Sequence, residues 1–278
     1  MTGGAAHVDY GLTRDGVVQL RRRWVAPSPR AAMVLLHGIG EHSGRYDHVG
    51  RGFAAAGIDV VAIDHRGFGG SGGRRGHIRS FRTFVDDAAD HLVEVRALGL
   101  PTVLFGHSMG GLIALLTVLE HRRPGPDLLV LSGPALAAGI PAPLRLVTPL
   151  AVRLAPGLPV PSPIGMHLLA TDPAVGAAYL SDPANVRTAS PTLGAELLRS
   201  IRWVNAHLDE LDVPTLVLHG GDDWLVPTAS SAPLAARPGV ERRVLPGLRH
   251  EVFNEPGNAE LVADTARWVF EHMPVNPG

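Results

Sequence analysis

Residues 101–122 read PTVLFGHSMGGLIALLTVLEHR. The apolar run up to Gly106 predicts a buried strand, and the run after Ser108 predicts a strongly apolar helix. Between them lies Gly106-His107-Ser108-Met109-Gly110, a match to G-x-S-x-G. In a chain with 33 glycines such a match can arise by chance, so its context decides. Here the motif directly follows a strand and directly opens a helix. A turn that sharp forces the serine into a strained backbone conformation. Side chains at the two flanking glycines would clash with neighbouring elements. Ser108 is therefore the candidate nucleophile.

Working outward, the same rhythm recurs on both sides. Two short strands in 8–25 precede the buried strand AAMVLLHG. A helix carrying Tyr46, Val49, Phe53 and Ala56 follows and ends at Gly57. The strand IDVVAID comes next. A helix then buries Phe84, Ala88, Leu92 and Val95 and is expected to turn Asp86, Asp87, Asp90 and Glu94 to water. After the elbow come the strand DLLVLSG, a proline-rich stretch without β–α rhythm, and then the strand PTLVLHG. A short helix near 228–236, the strand ERRVLPG and a last helix with Leu261, Thr265, Trp268 and Val269 on one side complete the chain. Strands alternating with helices imply a mostly parallel central sheet with helices on both faces. With a serine at the elbow this α/β pattern resembles the α/β-hydrolase fold, with a cap inserted after a central strand. The expected division is a core in 1–133, a cap in 134–206 and the rest of the core in 207–278.

Two other glycine motifs compete with the elbow. Gly69-Gly70-Ser71-Gly72-Gly73 also fits G-x-S-x-G, but polar, basic RRGHIRS follows it instead of an apolar helix. Gly67-Phe68-Gly69-Gly70-Ser71-Gly72 fits G-x-G-x-x-G. A dinucleotide site needs a helix opening at the last glycine and an acid ending the next strand about 20 residues on. Here the helix begins a dozen residues later, and Asp86, Asp87 and Asp90 lie inside it.

A serine hydroxyl is a weak nucleophile until a base takes its proton, and the base is usually a histidine held by a carboxylate. In this fold the chain order is Ser, Asp or Glu, then His. His250 follows ERRVLPG and is read as the only histidine ending a late strand, in a chain that holds 14. The acid comes from GDDWLVP. Asp223 is favoured because the loop then reads Asp-x-x-Val-Pro, with Asp222 as a turn residue. Two backbone N–H groups must face the developing oxyanion. Met109, after the nucleophile, and Ile39, in HGIGEHSG, are the candidates. His37 is read as a brace for that loop.

Composition narrows the field. Hydrophobic residues make up 45% and charged residues 18% of 278, enough for a sizeable core. The formal net charge of −1 gives no reason to expect a nucleic-acid partner. The basic run Arg21-Arg22-Arg23 is read as solvated. There is no cysteine, so disulfides, thiolate metal sites and a cysteine nucleophile are excluded. The N-terminus does not read as a secretory signal, and no apolar run of about 18 residues predicts a membrane span.

At this point the blocks HGIGEHSGRY (37–46), DHRGFGGSGGRRGHI (64–78), GHSMGG (106–111), VLSGPAL (130–136) and HEVFNEP (250–256) resemble the monoacylglycerol lipase family, over about residues 32–270. The resemblance implies a serine esterase that hydrolyses monoacylglycerols to fatty acid and glycerol. It implies Ser108, Asp223 and His250 as the triad and Ile39 and Met109 as oxyanion donors. In that family the glutamate and arginine of the first block help hold glycerol; here these are Glu41 and Arg45, for which a loop-bracing ion pair is the alternative. Some relatives carry a second histidine three residues after the catalytic one, where this chain has Phe253.

Residues 133–164 hold only Arg145 and Arg153 as charges. They read as a cap packed on the core, as a lid touching membrane or micelle, or as both. The expected location is cytoplasmic, with contact at a membrane surface. No cofactor or metal is expected, since hydroxyl, imidazole and backbone N–H groups suffice. A lysophospholipase or broad carboxylesterase is the nearest rival. A non-catalytic binding protein on the same scaffold is the distant one.

Overall fold

The computed structural model describes residues 4–122, 124–138, 142–162 and 165–274. The first two strands, β1 (His7–Leu12) and β2 (Val18–Trp24), form an antiparallel hairpin. The alternating part follows: β3 (Ala31–Leu36), α1 (Asp47–Ala56), β4 (Ile58–Ile63), α2 (Arg82–Arg96), β5 (Thr102–His107), α3 (Met109–Leu119) and β6 (Leu128–Ser132). Between β6 and the next core strand lie α4 (Ala142–Leu154), β7 (Val160–Pro161), α5 (Pro173–Ser181), β8 (Thr188–Ala189) and α6 (Pro191–His207). The chain closes with β9 (Thr215–Gly220), β10 (Val240–Leu245) and α7 (Asn258–His272). Among the described residues eight strands share one sheet in the order β1-β2-β4-β3-β5-β6-β9-β10, parallel from β4 to β10. Strands β7 and β8 pair separately.

The buried strands sort their side chains by parity, as a period of two requires. On β3, Ala32, Val34 and Leu36 join one core with residues of α2, α3 and α6. Ala31, Met33 and Leu35 face the other core, with residues of α1 and α7. Strands β5, β6 and β9 divide in the same way: Leu104, Leu129 and Val217 on the first face, Phe105, Val130 and Leu216 on the second. Every residue of α3 is buried, because α3 lies between the sheet and helices α2 and α6. An apolar residue at every turn position suits only such a site.

Charged residues in α2 and β2 are paired in the fold and not simply exposed. Asp87 does not face water. It is buried, and Arg66 grips it through Nε at 2.8 Å and Nη2 at 2.7 Å. The arginine run is not simply solvated either. Arg21 bonds Asp9 at 2.8 Å, Arg22 bonds Asp64 at 3.1 Å, and Arg23 pairs with Asp59. A strand in the sheet interior lies beside neighbours distant in sequence, and these cations meet carboxylates from β1 (Asp9), from β4 (Asp59) and from the loop after β4 (Asp64). The competing serine also has a structural explanation. Ser71 is buried, donates to Asp64 O at 2.6 Å and accepts from Leu20 N at 2.9 Å. It ties the glycine loop to β2.

Candidate active site

The elbow takes the strained form its sequence requires. Ser108 has φ 52° and ψ −115°, a region that costs a non-glycine residue about 1–3 kcal/mol. Its backbone is held on both sides. Ser108 N–H donates to Ser132 O at 2.9 Å, while Ser108 O accepts from Leu112 N at 3.1 Å and Ala135 N at 3.0 Å. A Cβ on Gly106 would stand 2.4 Å from Gly110 O, and one on Gly110 would stand 2.1 Å from Leu36 O. Both contacts are with backbone that cannot move aside, so both positions must be glycine.

All the predicted site residues lie beyond the carboxyl ends of strands: Ile39 and Glu41 after β3, Ser108 after β5, Asp223 after β9 and His250 after β10. His250 Nδ1 lies 2.7 Å from Asp223 Oδ2. A carboxylate only accepts, so Nδ1 carries the proton and Nε2 is left as the basic nitrogen. His250 and Ser108 line one small cavity together with Gly38, Ile39, Glu41 and Tyr179. Asp223 Oδ1 accepts from Leu225 N at 2.9 Å and Val226 N at 2.8 Å. Burial pushes the Asp223 carboxyl up. Hydrogen bonds from His219 and His250 outweigh this and hold it well below the usual carboxylate range. Met109 opens α3, so its N–H is among those at a helix start that have no intrahelical acceptor.

Glu41 and Arg45 form a closed network. Glu41 accepts from Gly38 N at 2.6 Å, Tyr46 OH at 2.7 Å and Arg45 Nη1 at 2.6 Å. Arg45 also grips Glu251 through two bonds of 2.7 Å. The pair therefore braces the loop after β3, and Glu41 contributes to the cavity wall as well. Burial raises the Glu41 carboxyl, but the Arg45 charge and then His37 leave it lowered overall. Phe253 is buried in the core, 5.2 Å edge-to-face from Phe105.

Sequence reasoning missed three contributors. His219 lies in β9, so His250 is not the only histidine near a late strand end, and His219 Nε2 stands 3.2 Å from Asp223 Oδ2. Its signal was its place four residues before the acid. Glu251 gave no signal except adjacency to His250. Tyr179, in the inserted segment, donates to Gly40 O at 2.9 Å and lines the cavity.

His107, His37 and His65 are also buried. Burial, with the charge of His250, pushes His107 down to about 3. Burial lowers His37, and lowers His65 further. Each thus favours its neutral form in the fold more than in the unfolded chain, which binds a proton below about pH 6.5. The stability they contribute is complete above that pH and is lost as pH falls toward their folded values. Unfolding near pH 5.5 should take up about two protons at His107 and His65, with His37 adding to the uptake in the same direction. The lowered carboxyls of Asp223, Glu41 and Asp64 add a further loss below about pH 4. Thermal unfolding in a pH series, with proton uptake measured calorimetrically, checks this. A Tm that stays level between pH 6.5 and pH 5 would contradict it.

The family model described as serine aminopeptidase, S33, matches residues 27–257. A monoacylglycerol lipase of Mycolicibacterium smegmatis is 40% identical over 88% of this chain and 90% of that protein. The chain belongs to the monoacylglycerol lipase family of serine hydrolases. A second relative, the phospholipase YtpA of Bacillus subtilis, is 34% identical over 86% of this chain and 94% of its own. The crystal structure of the Paleococcus ferrophilus monoacylglycerol lipase superposes with a TM-score of 0.80 at 29% identity, covering 91% of this chain and 98% of that one. Membership of this family makes the chain a carboxylic ester hydrolase on the α/β-hydrolase fold.

Proposed function

We propose that this family member hydrolyses the ester of single-chain acylglycerols through an acyl-enzyme on Ser108. One observation carries the reading: a single cavity brings together Ser108, His250 hydrogen-bonded to Asp223, and the buried carboxylate of Glu41. The 40% identity to a monoacylglycerol lipase supports it. In the proposed reaction Ser108 Oγ attacks the ester carbonyl and its proton passes to His250 Nε2. The N–H groups of Ile39 and Met109 receive the oxyanion. Asp223 stabilises the imidazolium and does not itself become protonated. Collapse breaks the ester C–O bond, and the glyceryl oxygen leaves with the proton from His250. Water, deprotonated by the same nitrogen, then releases the fatty acid. Glu41 supplies the polar wall for the glyceryl hydroxyls, and Arg45 acts by holding Glu41.

The segment 134–206 is proposed as a cap. Its residues Leu169 and Tyr179 stand on the cavity, and Glu251 N–H donates to Leu169 O at 2.7 Å. The cavity holds about 20 Å³, room for roughly one water molecule and far short of an acyl chain. Substrate binding is proposed to move these side chains aside. Leu150, Leu154 and Leu158 are exposed and are proposed to meet the membrane or micelle that supplies the lipid. The side chain of Arg145 lies outside the described residues. Among the described residues no helix is long and apolar enough to cross a membrane.

A site built to pair hydroxyls penalises esters that lack them. A monoacylglycerol should therefore exceed a simple alkyl ester of the same acid by about 10-fold or more in kcat/KM, since a hydrogen bond to a charged group contributes about 1.5–3 kcal/mol. Glu41→Gln should narrow that ratio, and triacylglycerols should be poor substrates. The glyceryl reading fails if both esters are handled alike and Glu41→Gln leaves their ratio unchanged. A preference for lysophospholipids in the same panel would move the reading to a lysophospholipase.

A further inference from the structure

We propose that His219 is a positioning residue for the catalytic carboxylate, donating from Nε2–H to the same Asp223 oxygen that holds His250. The inference rests on the reading of Ser108, Asp223 and His250 as a triad. His219 is fully buried at the end of β9. Its Nε2 lies 2.9 Å from Val226 O and 3.2 Å from Asp223 Oδ2. A carbonyl and a carboxylate can only accept, so Nε2 carries the hydrogen; it bonds Val226 O and, in the proposal, is shared with Asp223 Oδ2 3.2 Å away. Its Nδ1 lies 2.8 Å from Ser231 Oγ. Arg242 Nε donates to that Oγ at 2.9 Å, which leaves the Ser231 hydroxyl hydrogen to point at Nδ1. The alternative acceptor for that hydrogen, Thr228 O, is farther away at 3.2 Å. Ser231 and Arg242 thus fix the tautomer of His219, as the second partner of a functional histidine commonly does.

The consequence follows from counting donors. An ionised carboxylate offers about four acceptor positions. Asp223 fills two on Oδ1 with Leu225 N and Val226 N, and two on Oδ2 with His250 and His219. Without His219, Oδ2 would have a single strong partner, and more of its charge would act on the His250 imidazolium. The imidazolium would then be harder to deprotonate. Asp223 would also lose one of the contacts that set its angle. The other groups around the pair are His107, whose ring centre is 4.7 Å from that of His250, Glu251 next in the chain, and Arg242 behind Ser231. None of these donates to Oδ2.

Two substitutions separate the donor from mere space filling. In His219→Gln the amide nitrogen reaches the place of Nε2. In His219→Asn the shorter amide reaches only the place of Nδ1, where its oxygen can accept from Ser231, so the Ser231 contact is kept and Asp223 loses its donor. The measurement is the pH dependence of inactivation by a fluorophosphonate, with kcat and KM on a monoacylglycerol. His219→Asn should raise the apparent pKa of the acid limb by about half to one unit and lower kcat by about 10-fold, with KM nearly unchanged. His219→Gln should keep the limb at the wild-type position. Unfolding midpoints report whether both variants are folded. An acid limb that does not move in a folded His219→Asn enzyme, or that moves equally in both variants, overturns the role of His219. A wild-type protein that the fluorophosphonate does not label would instead overturn the triad reading beneath it.

Discussion

Ser108→Ala and His250→Ala should each lower kcat by about 10⁴-fold or more, and the double variant should lose little beyond either one, because nucleophile and base act as a unit. The motivation is geometric. Ser108 is held at a strained φ by three backbone hydrogen bonds, and the Nδ1 of His250 is committed to Asp223, which leaves Nε2 as the base. Ser71→Ala is the matched control, because Ser71 sits in the other G-x-S-x-G segment. Its hydroxyl bridges Asp64 O and Leu20 N in a buried loop. Its removal should cost about 1–3 kcal/mol of stability and leave kcat close to wild type at a temperature where the protein is folded. A large kcat loss in Ser71→Ala with a small one in Ser108→Ala would reverse the assignment.

Asp223→Asn should be far more damaging than Asp222→Asn. The two acids are neighbours but their surroundings differ. Asp223 is buried, accepts from His250 and two backbone N–H groups, and has His219 Nε2 3.2 Å from its Oδ2. Asp222 is exposed and contributes a backbone N–H to Leu248 O at 2.9 Å, which joins the loops after β9 and β10. An asparagine at 223 can offer its amide N–H to His250 and so favour the wrong tautomer. The equivalent change in a serine protease costs about 10⁴-fold in kcat, and a loss of that order is expected here. Asp222→Asn should stay within about threefold of wild type, since a surface change of this kind alters little. Equal and mild effects in a kcat comparison would remove Asp223 from its role.

The fold was legible because its signals are local. Apolar runs such as AAMVLL and TVLFGH alternate with helical spacings, and the glycines at 106 and 110 allow no Cβ. The order Ser, Asp, His could be followed because each residue ends a recognisable strand. What stayed hidden depends on long-range pairing. Asp87 read as a surface acid because a helical face assigns exposure without knowing that Arg66 lies against it. The run Arg21-Arg22-Arg23 read as solvated because its carboxylates Asp9, Asp64 and Asp59 are supplied by three different segments. His219 was absorbed into an apolar strand pattern, and only the packing of the Asp223 loop shows which way its ring faces. Glu41 and Arg45 could be found, but the bracing part of their network includes Glu251, which gave no pattern of its own.

The most direct test of the account is to label the wild-type protein with an alkyl fluorophosphonate and locate the adduct by peptide mass spectrometry. One adduct per chain is expected, on Ser108, formed more slowly as a saturating monoacylglycerol is added and absent from Ser108→Ala. An adduct on Ser71, or no adduct in a folded protein that still hydrolyses monoacylglycerols, would contradict it.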